Sequence, residues 1–345
     1  MRVEPGPIAG RDESELLLAL RARDEDAFRL VTDRYRRELL VHCYRMLGSL
    51  EDAEDTLQET LLRAWRALDS FEGRSRLRPW LYKIATNLCL DARASRRRRT
   101  LPNATLEPAS PGDALPGPTG EPLWLEPVPD ALIDLRSSVN PEAHYDARES
   151  VSLLFLATLQ ALPSRQRAVL ILREVLGWTA AEVAELLGTS VASVNSALQR
   201  ARTSMKAYRR TTDPTGAGSA QRARLLSRYV DAWEAADAPG LVALLREDVA
   251  FTMPPLPLWY RGRAAVEWFL SSQLFAGEAA GRFRLMPAEA NGSPAFATYQ
   301  RDRAGIYRLE ALQVLTIDGG QIAAVHDFLG SADRVSARFG VPPTL

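Results

Sequence analysis

The sequence predicts a multidomain chain: two all-α domains, the second a helix–turn–helix, followed by a C-terminal α+β domain shaped as a cone. Three observations predict it. Apolar residues recur at helical spacing up to an arginine cluster near residue 100. A second helical block carries the caps and glycine turn of a helix–turn–helix. After about residue 220, helices give way to alternating strands that close on a hairpin.

In the first block, Ala27 to Leu47 places Phe28, Val31, Tyr35, Leu39 and Tyr44 at helical spacing, and Gly48-Ser49 ends the run. The next helix, Glu51 to Leu68, sets Leu57, Leu61, Ala64, Trp65 and Leu68 on one face, with Trp65 assigned to the core. Its other face opens with Asp52, Asp55, Gln58 and Glu59. Acidic residues in a first turn favour the helix macrodipole, which accounts for some of them. The loop FEGRSRLRP then leads to a helix from Trp80 to about Arg99, with Trp80, Ile84, Leu88 and Ala92 as its inward stripe. A cationic C-terminus suits the dipole, but five arginines, Arg93 and Arg96 to Arg99, exceed that need. Arginines beside Trp80, Tyr82 and Lys83 fit a groove that tracks phosphates while aromatics receive unstacked bases.

The second block is the most informative. Thr179 with Glu182 forms a capping box; Val183, Leu186 and Leu187 are the apolar face; Gly188 supplies the left-handed turn; Ser190 caps the next helix. In that helix Val194, Leu198 and Ala201 point inward. Ser193, Asn195, Ser196, Gln199, Arg200 and Arg202 face outward, short hydrogen-bonding groups followed by guanidinium. This is the make-up of a helix that enters the major groove of DNA.

Charge is segregated along a formally neutral chain. Residues 71–100 hold nine basic and two acidic side chains, residues 101–147 one and eight, residues 148–211 nine and four. Two basic blocks around an acidic linker indicate two polyanion-binding modules. The linker, rich in Pro and Gly between Pro102 and Pro129, is not expected to form a packed domain. Its Trp124 and Leu125 are too apolar for solvated chain and are expected to dock on a neighbouring domain.

No apolar run is long enough to span a bilayer, the N-terminus lacks the apolar core of a secretion signal, and Cys43 and Cys89 sit inside helical patterns. A cytoplasmic protein is expected. No Cys or His pair has metal-ligand spacing, so no metal or other cofactor is expected.

After the short linker TTDPTGAGS come helices Gln221–Ala236, with Leu225, Leu226, Tyr229, Val230 and Trp233 inward, and Pro239–Leu245. The extended VAFTMPP, a third helix in WYRGRAAVEWFLSSQL, and strands FRLMPAEAN, AFATYQR, YRLEALQVLTI and QIAAVHDFL follow; the last two are joined at Asp318-Gly319-Gly320. A curved antiparallel sheet is expected. Asp231, His326 and Asp327 are the ionisable candidates for a pocket, with alternation allowing only one of the last two to face it.

The order DAEDTLQETLLRAWRAL, FEGRSRLRPWLYKIATNLCLDARASRRRR and helix–turn–helix resembles domains two and four of the extracytoplasmic-function group of bacterial sigma factors. The resemblance implies domains at 12–100 and 148–211, a linker at 101–147 and an added domain at 220–340. It implies core RNA polymerase as partner, through the β′ clamp helices and the β flap, with Asp55, Gln58 and Glu59 at the clamp. It also implies promoter DNA, with Arg74, Arg76, Arg78, Trp80, Lys83, Asn87, Arg93, Arg96 and Arg97 at the −10 element and the helix from Ser190 at the −35 element. Many relatives carry Lys or Arg where this chain has Asn195 and Ala197, which implies fewer phosphate contacts. VDAWEAADAPGLVALLREDVAFTMPP with the hairpin is similar to the SnoaL-like branch of the nuclear transport factor two superfamily, some of whose members are enzymes. The expectation is a sigma factor, not an enzyme, regulated in cis by this last domain, which could hold a small-molecule ligand. Two alternatives are a one-component ligand-sensing regulator and a SnoaL-type enzyme fused to a DNA-binding module.

Overall fold

The computed structural model describes residues 16, 18–20, 22–68, 71, 77–95, 99–119, 123–133, 149–205, 219–277, 279–330 and 332–345. The chain divides into two compact units. One comprises residues 1–99, 132–136 and 154–208; the other comprises 100–131, 137–153 and 209–345. Helices of both predicted α domains therefore share the first unit, and the described linker up to residue 131 belongs to the second.

In the first unit, α1 (Glu25–Leu47) starts where Asp24 accepts from the Asp26 and Ala27 amides and stops at Gly48, whose φ of 74° suits glycine. Its second half is buried all round from Leu39 to Leu47, as a central helix must be. Ser49 caps α2 (Leu50–Arg66), and α3 (Leu77–Ser95) packs on both. Helices α6 (Leu153–Ala161) and α7 (Ser164–Leu170, running into a π turn at Ile171–Val175) precede the helix–turn–helix of α8 (Ala180–Leu187) and α9 (Val191–Ser204). The short elements numbered in between, β1 (Arg99–Thr100), α4 (Pro102–Thr105), β2 (Leu123–Trp124) and α5 (Asp130–Ile133), lie along the linker.

Arg167 joins these helices. Its side chain is wholly buried, and its five N–H donors meet the carbonyls of Leu159 (2.8 Å), Met46 (2.5 Å), Gln160 (3.0 Å) and Leu162 (3.0 Å) and Oε1 of Gln160 (2.6 Å). Gln160 in turn donates to the Arg45 carbonyl at 3.2 Å. The acceptors cluster at the C-terminal ends of α1 and α6, where orphan carbonyls and the macrodipoles favour a cation.

The second unit is a six-stranded sheet of order β4-β3-β8-β7-β6-β5: β3 (Leu245–Thr252), β4 (Trp259–Arg261), β5 (Phe283–Ala290), β6 (Ser293–Arg301), β7 (Tyr307–Asp318) and β8 (Gln321–Leu329). One face packs on α10 (Ser219–Glu234), α11 (Ala238–Val242) and α12 (Arg263–Phe269) around Tyr229, Trp233, Phe251, Phe269 and Phe296. The expected antiparallel sheet is corrected to a mixed one, because β3 runs parallel to β8. A strand and its parallel neighbour need a long crossover, and here almost the whole domain lies between them. A terminal helix, α13 (Ala332–Phe339), was not legible as a separate element.

Parts of the linker carry regular structure and hydrogen bonds. The linker strands β1 and β2 pair, and the Ala109 amide donates to the Trp259 carbonyl (2.8 Å) while Trp259 Nε1 donates to the Leu106 carbonyl (2.9 Å). Pro129 bridges Ala290, and Trp124, Leu125 and Val128 are buried. Proline removes donors without removing carbonyl acceptors, so such a segment can be held from outside.

Arg167→Lys keeps the charge but loses the fork of donors. It is expected to lower the stability of the helical unit by about 3 kcal/mol, since buried carbonyls are left unpaired. Denaturant unfolding followed by far-ultraviolet circular dichroism measures this.

Candidate nucleic-acid interface

On α2, Ala53, Thr56, Leu57 and Thr60 turn inward, which leaves Asp55 and Gln58 exposed and Glu59 half-buried with an ion pair to Arg63 at 2.7 Å. The three predicted residues share one outward face with Leu62, which is 42 % exposed although apolar. Asp52, one turn earlier, is engaged by Arg99 at 2.9 Å. Trp65 is half-buried rather than core, its ring 5.0 Å from Phe28 with the Arg23 guanidinium above it.

The inward face of α3 is Leu77, Leu81, Tyr82, Ala85, Thr86, Leu88 and Cys89. The expected stripe of Trp80, Ile84, Leu88 and Ala92 is thus rotated, with Trp80, Ile84 and Ala92 only half-buried. The helix touches α1 on one side and α2 on the other, so the buried arc widens toward Leu81 and Tyr82. The rotation brings Trp80, packed at 4.7 Å on Phe71, onto a common outer face with exposed Lys83 and Asn87 at i+3 and i+7. Tyr82 is core, not a base platform: its ring lies 5.3 Å from Trp178 and 5.0 Å from His42. Arg78 points back into the unit, its guanidinium forked on Glu38 at 2.9 and 3.0 Å. Arg74, Arg76, Arg96 and Arg97 lie outside the described residues, as does the side chain of Arg93.

The helix–turn–helix follows its sequence signals closely. Thr179 and Glu182 form both halves of the capping box, Gly188 adopts φ 59°, and Ser190 accepts from the Ser193 amide at 3.1 Å. Val194, Leu198 and Ala201 are buried, and Ser193, Asn195, Ser196, Gln199, Arg200 and Arg202 are all exposed. Arg202 meets Glu174 at 2.6 Å, a solvent-exposed pair that DNA phosphate can displace at little cost. Val191, 44 % exposed at the first turn, was not singled out from the sequence. An exposed β-branched residue at a recognition-helix N-terminus suits a thymine methyl.

In the cone, the three candidate ionisable groups do not meet. Asp231 is exposed on α10. His326 lies on the sheet face opposite Asp327, its Nδ1 2.9 Å from Thr252 Oγ1. Asp327 faces the helices beside its cross-strand partner Gln313, whose Oε1 accepts from the Tyr229 hydroxyl at 2.9 Å. Burial pushes the Asp327 carboxyl up to about 7, with the Gln313 amide opposing it, and burial holds His326 down at about 4. Among the described residues, Asp327 Oδ1 and Trp233 Nε1 have no hydrogen-bond partner. Among the described residues, no group of three or more His, Cys, Asp or Glu could hold a metal ion, and no helix is long and apolar enough to cross a membrane.

Three family models match the chain: Sigma-70 region 2 at residues 31–99, Sigma-70 region 4 at 152–205 and a SnoaL-like domain at 226–325. The ECF RNA polymerase sigma factor SigG of Mycobacterium tuberculosis (strain ATCC 25618 / H37Rv) is 45 % identical over 317 residues, covering 91 % of this chain and 84 % of that one. The chain belongs to the ECF RNA polymerase sigma factors. Another ECF sigma factor, SigW of Bacillus subtilis (strain 168), is 29 % identical over 183 residues, 53 % of this chain and 89 % of that one. Among solved structures, the extracytoplasmic function sigma factor SigJ of Mycobacterium tuberculosis superposes with a TM-score of 0.54 at 25 % identity, covering 89 % of this chain and 97 % of that one. This sigma factor therefore carries two helical sigma regions and a SnoaL-like α+β domain. The homologous ECF sigma factors are not enzymes.

Asp327 yields a signed pH effect. Its folded pKa, about 7, exceeds the ordinary 3.8, so its contribution is fully present below about 3.8 and is lost as pH rises through 7. Asp327→Asn removes that loss. The variant should gain stability over the parent at pH 8 and lose most of the gain near pH 5, read by thermal melting across that range.

Proposed function

We propose that this sigma factor delivers core RNA polymerase to promoters through three surfaces. Asp55, Gln58 and Glu59 on α2 dock on the β′ clamp helices, and the unit carrying α9 meets the β flap. Trp80, Lys83 and Asn87 on α3, with the neighbouring arginines, capture unstacked bases of the −10 element. Unstacking costs a few kcal/mol per base and is offset by stacking and pocket contacts. Ser193, Asn195, Ser196, Gln199 and Arg200 on α9 read the −35 element in the major groove, and Arg202 binds phosphate. The observation that carries the reading is the outward face of α9 behind its Ser190 cap, where Ser193, Asn195, Ser196, Gln199, Arg200 and Arg202 are all exposed while Val194, Leu198 and Ala201 are buried. The site of action is the cytoplasm, where the polymerase is.

The SnoaL-like domain regulates in cis. The support for this is the acidic linker, which follows the cone from Leu106 to Pro129 instead of running free.

In-vitro transcription with core polymerase tests the assignment. Replacing Asp55, Gln58 and Glu59 together by alanine should weaken core binding at least tenfold. Gln199→Ala and Arg200→Ala should each lower −35-dependent transcription by roughly 10- to 100-fold, about 1–3 kcal/mol per base contact. A chain ending at Thr212 should differ from the full chain on the same promoters. Loss of core binding in none of the variants, with no transcription from either form, would move the assignment to a one-component DNA-binding regulator.

A further inference from the structure

The turn between β6 and β7 runs Arg301-Asp302-Arg303-Ala304-Gly305-Ile306-Tyr307-Arg308, three arginines around one carboxylate. Asp302 is committed to the turn itself. Its Oδ1 accepts from the Ala304 amide at 2.8 Å and the Ile306 amide at 3.0 Å, and its Oδ2 accepts from Arg308 Nε at 2.8 Å. The Asp302 amide donates to the Ile306 carbonyl at 2.8 Å, the Gly305 amide donates to the Asp302 carbonyl at 3.0 Å, and Gly305 adopts φ 86°. The loop is therefore ordered from within, and Arg303 lies exposed in it.

The neighbouring strands add to it. Tyr307 is the cross-strand partner of Arg301, and its hydroxyl donates to the Gly281 carbonyl at 2.6 Å, which fixes the ring. The Arg301 guanidinium lies 6.0 Å from the ring centroid, and that of Arg284, on β5, lies 5.5 Å from it. Cation–π contact orients a guanidinium without neutralising it. Arg284 also meets Glu234 at 2.7 Å. Among the described residues, no carboxylate pairs with Arg301 or Arg303. The four exposed arginines, 284, 301, 303 and 308, share this end of the sheet with one further exposed carboxylate, Glu310.

We propose that this end of the sheet is a phosphate-contacting surface for duplex DNA, outside the two sigma regions. The inference rests on the reading that α9 binds promoter DNA. Duplex DNA carries one negative charge per about 1.7 Å of its axis, so pre-oriented guanidinium groups meet phosphate in many registers. The surface is mostly polar, with Ile306, 41 % exposed, as its exposed large apolar side chain, whereas a protein interface has an apolar core. DNA is also the polyanion that the chain itself brings near, because duplex held by α9 has a high effective concentration for a covalently joined domain. Such contacts strengthen binding and fix register without reading sequence.

Full-length protein and a fluorescein-labelled random duplex of about 40 base pairs, followed by anisotropy between about 50 and 200 mM salt, test this. Each lost phosphate contact should flatten the slope of log K against log salt by about 0.9. Arg301→Gln with Arg303→Gln should therefore flatten it by about 1.8, so that the parent loses roughly tenfold more affinity than the variant across that range. Arg301→Lys with Arg303→Lys keeps both charges and should retain the parental slope, which separates electrostatics from damage to the hairpin. Arg200→Ala with Arg202→Ala reports α9 independently. A parental slope in the glutamine variant, with a flattened slope in the α9 variant, overturns the cone surface and leaves the α9 reading standing. A flattened slope in the glutamine variant alone supports the surface and counts against the α9 reading. A parental slope in both overturns both. A lysine variant as flat as the glutamine variant overturns the electrostatic contact. Labelled poly-glutamate bound by the parent and lost by the glutamine variant, with the DNA slope unchanged, overturns the DNA assignment in favour of an acidic protein partner.

Discussion

A single buried cation organises the helical unit. Arg167 brings a charge to the interior on a three-methylene stem, and its burial is tolerable only because every donor finds an oxygen. Those oxygens belong to helix ends that would otherwise have to reach water. The arrangement solves two problems together: where α1 and α6 put their last carbonyls, and how α7 is held in register with them. The same surroundings penalise other charges. Desolvation, with Arg45 and Arg78 nearby, keeps His42 neutral down to about 3, and Cys43 and Cys89 remain buried free thiols. Helices α1, α3, α7 and α8 meet in that interior, so the outward faces of α2, α3 and α9 are set by what the inward faces must cover.

This explains what could be read from the chain and what could not. The helix–turn–helix was legible in detail because its signals are local: a capping box, a glycine turn, a serine cap and a 3.6-residue period lie within 25 residues and agree with one another. The last four strands of the cone and the Gly319-Gly320 turn were legible for the same reason, whereas β4 lay hidden in a segment read as a turn and a helix. The rotation of α3 was not. Periodicity identifies an apolar face, but the partners of that face, α1 and α2, decide how wide it is and where its edge falls. Arg78 shows the same limit from the polar side. A guanidinium in a basic stretch looks destined for phosphate, yet Glu38, 40 residues earlier, lies beside it.

The linker shows what composition leaves open. Composition argued against a packed domain, and it is not one. Its prolines and acidic residues lack a period that could bury a face, yet Trp124, Leu125 and Val128 are buried. The sheet's parallel pairing was hidden for a related reason: β3 and β8 are separated by nearly 70 residues, and nothing local states that they are neighbours.

That pairing bears on the order in which the protein comes into being. The edge formed by β3 and β4 has no sheet to join until β8, residues 321–329, has left the ribosome, because β8 is the strand that links it to β7, β6 and β5. Synthesis proceeds from the N-terminus, and domains fold as they emerge. The helices of the first unit are therefore synthesised while the sheet is still unmade. Every new molecule passes through an interval in which its sigma regions exist without a finished C-terminal domain, and a chain cut short by stalling or a premature stop codon never leaves it.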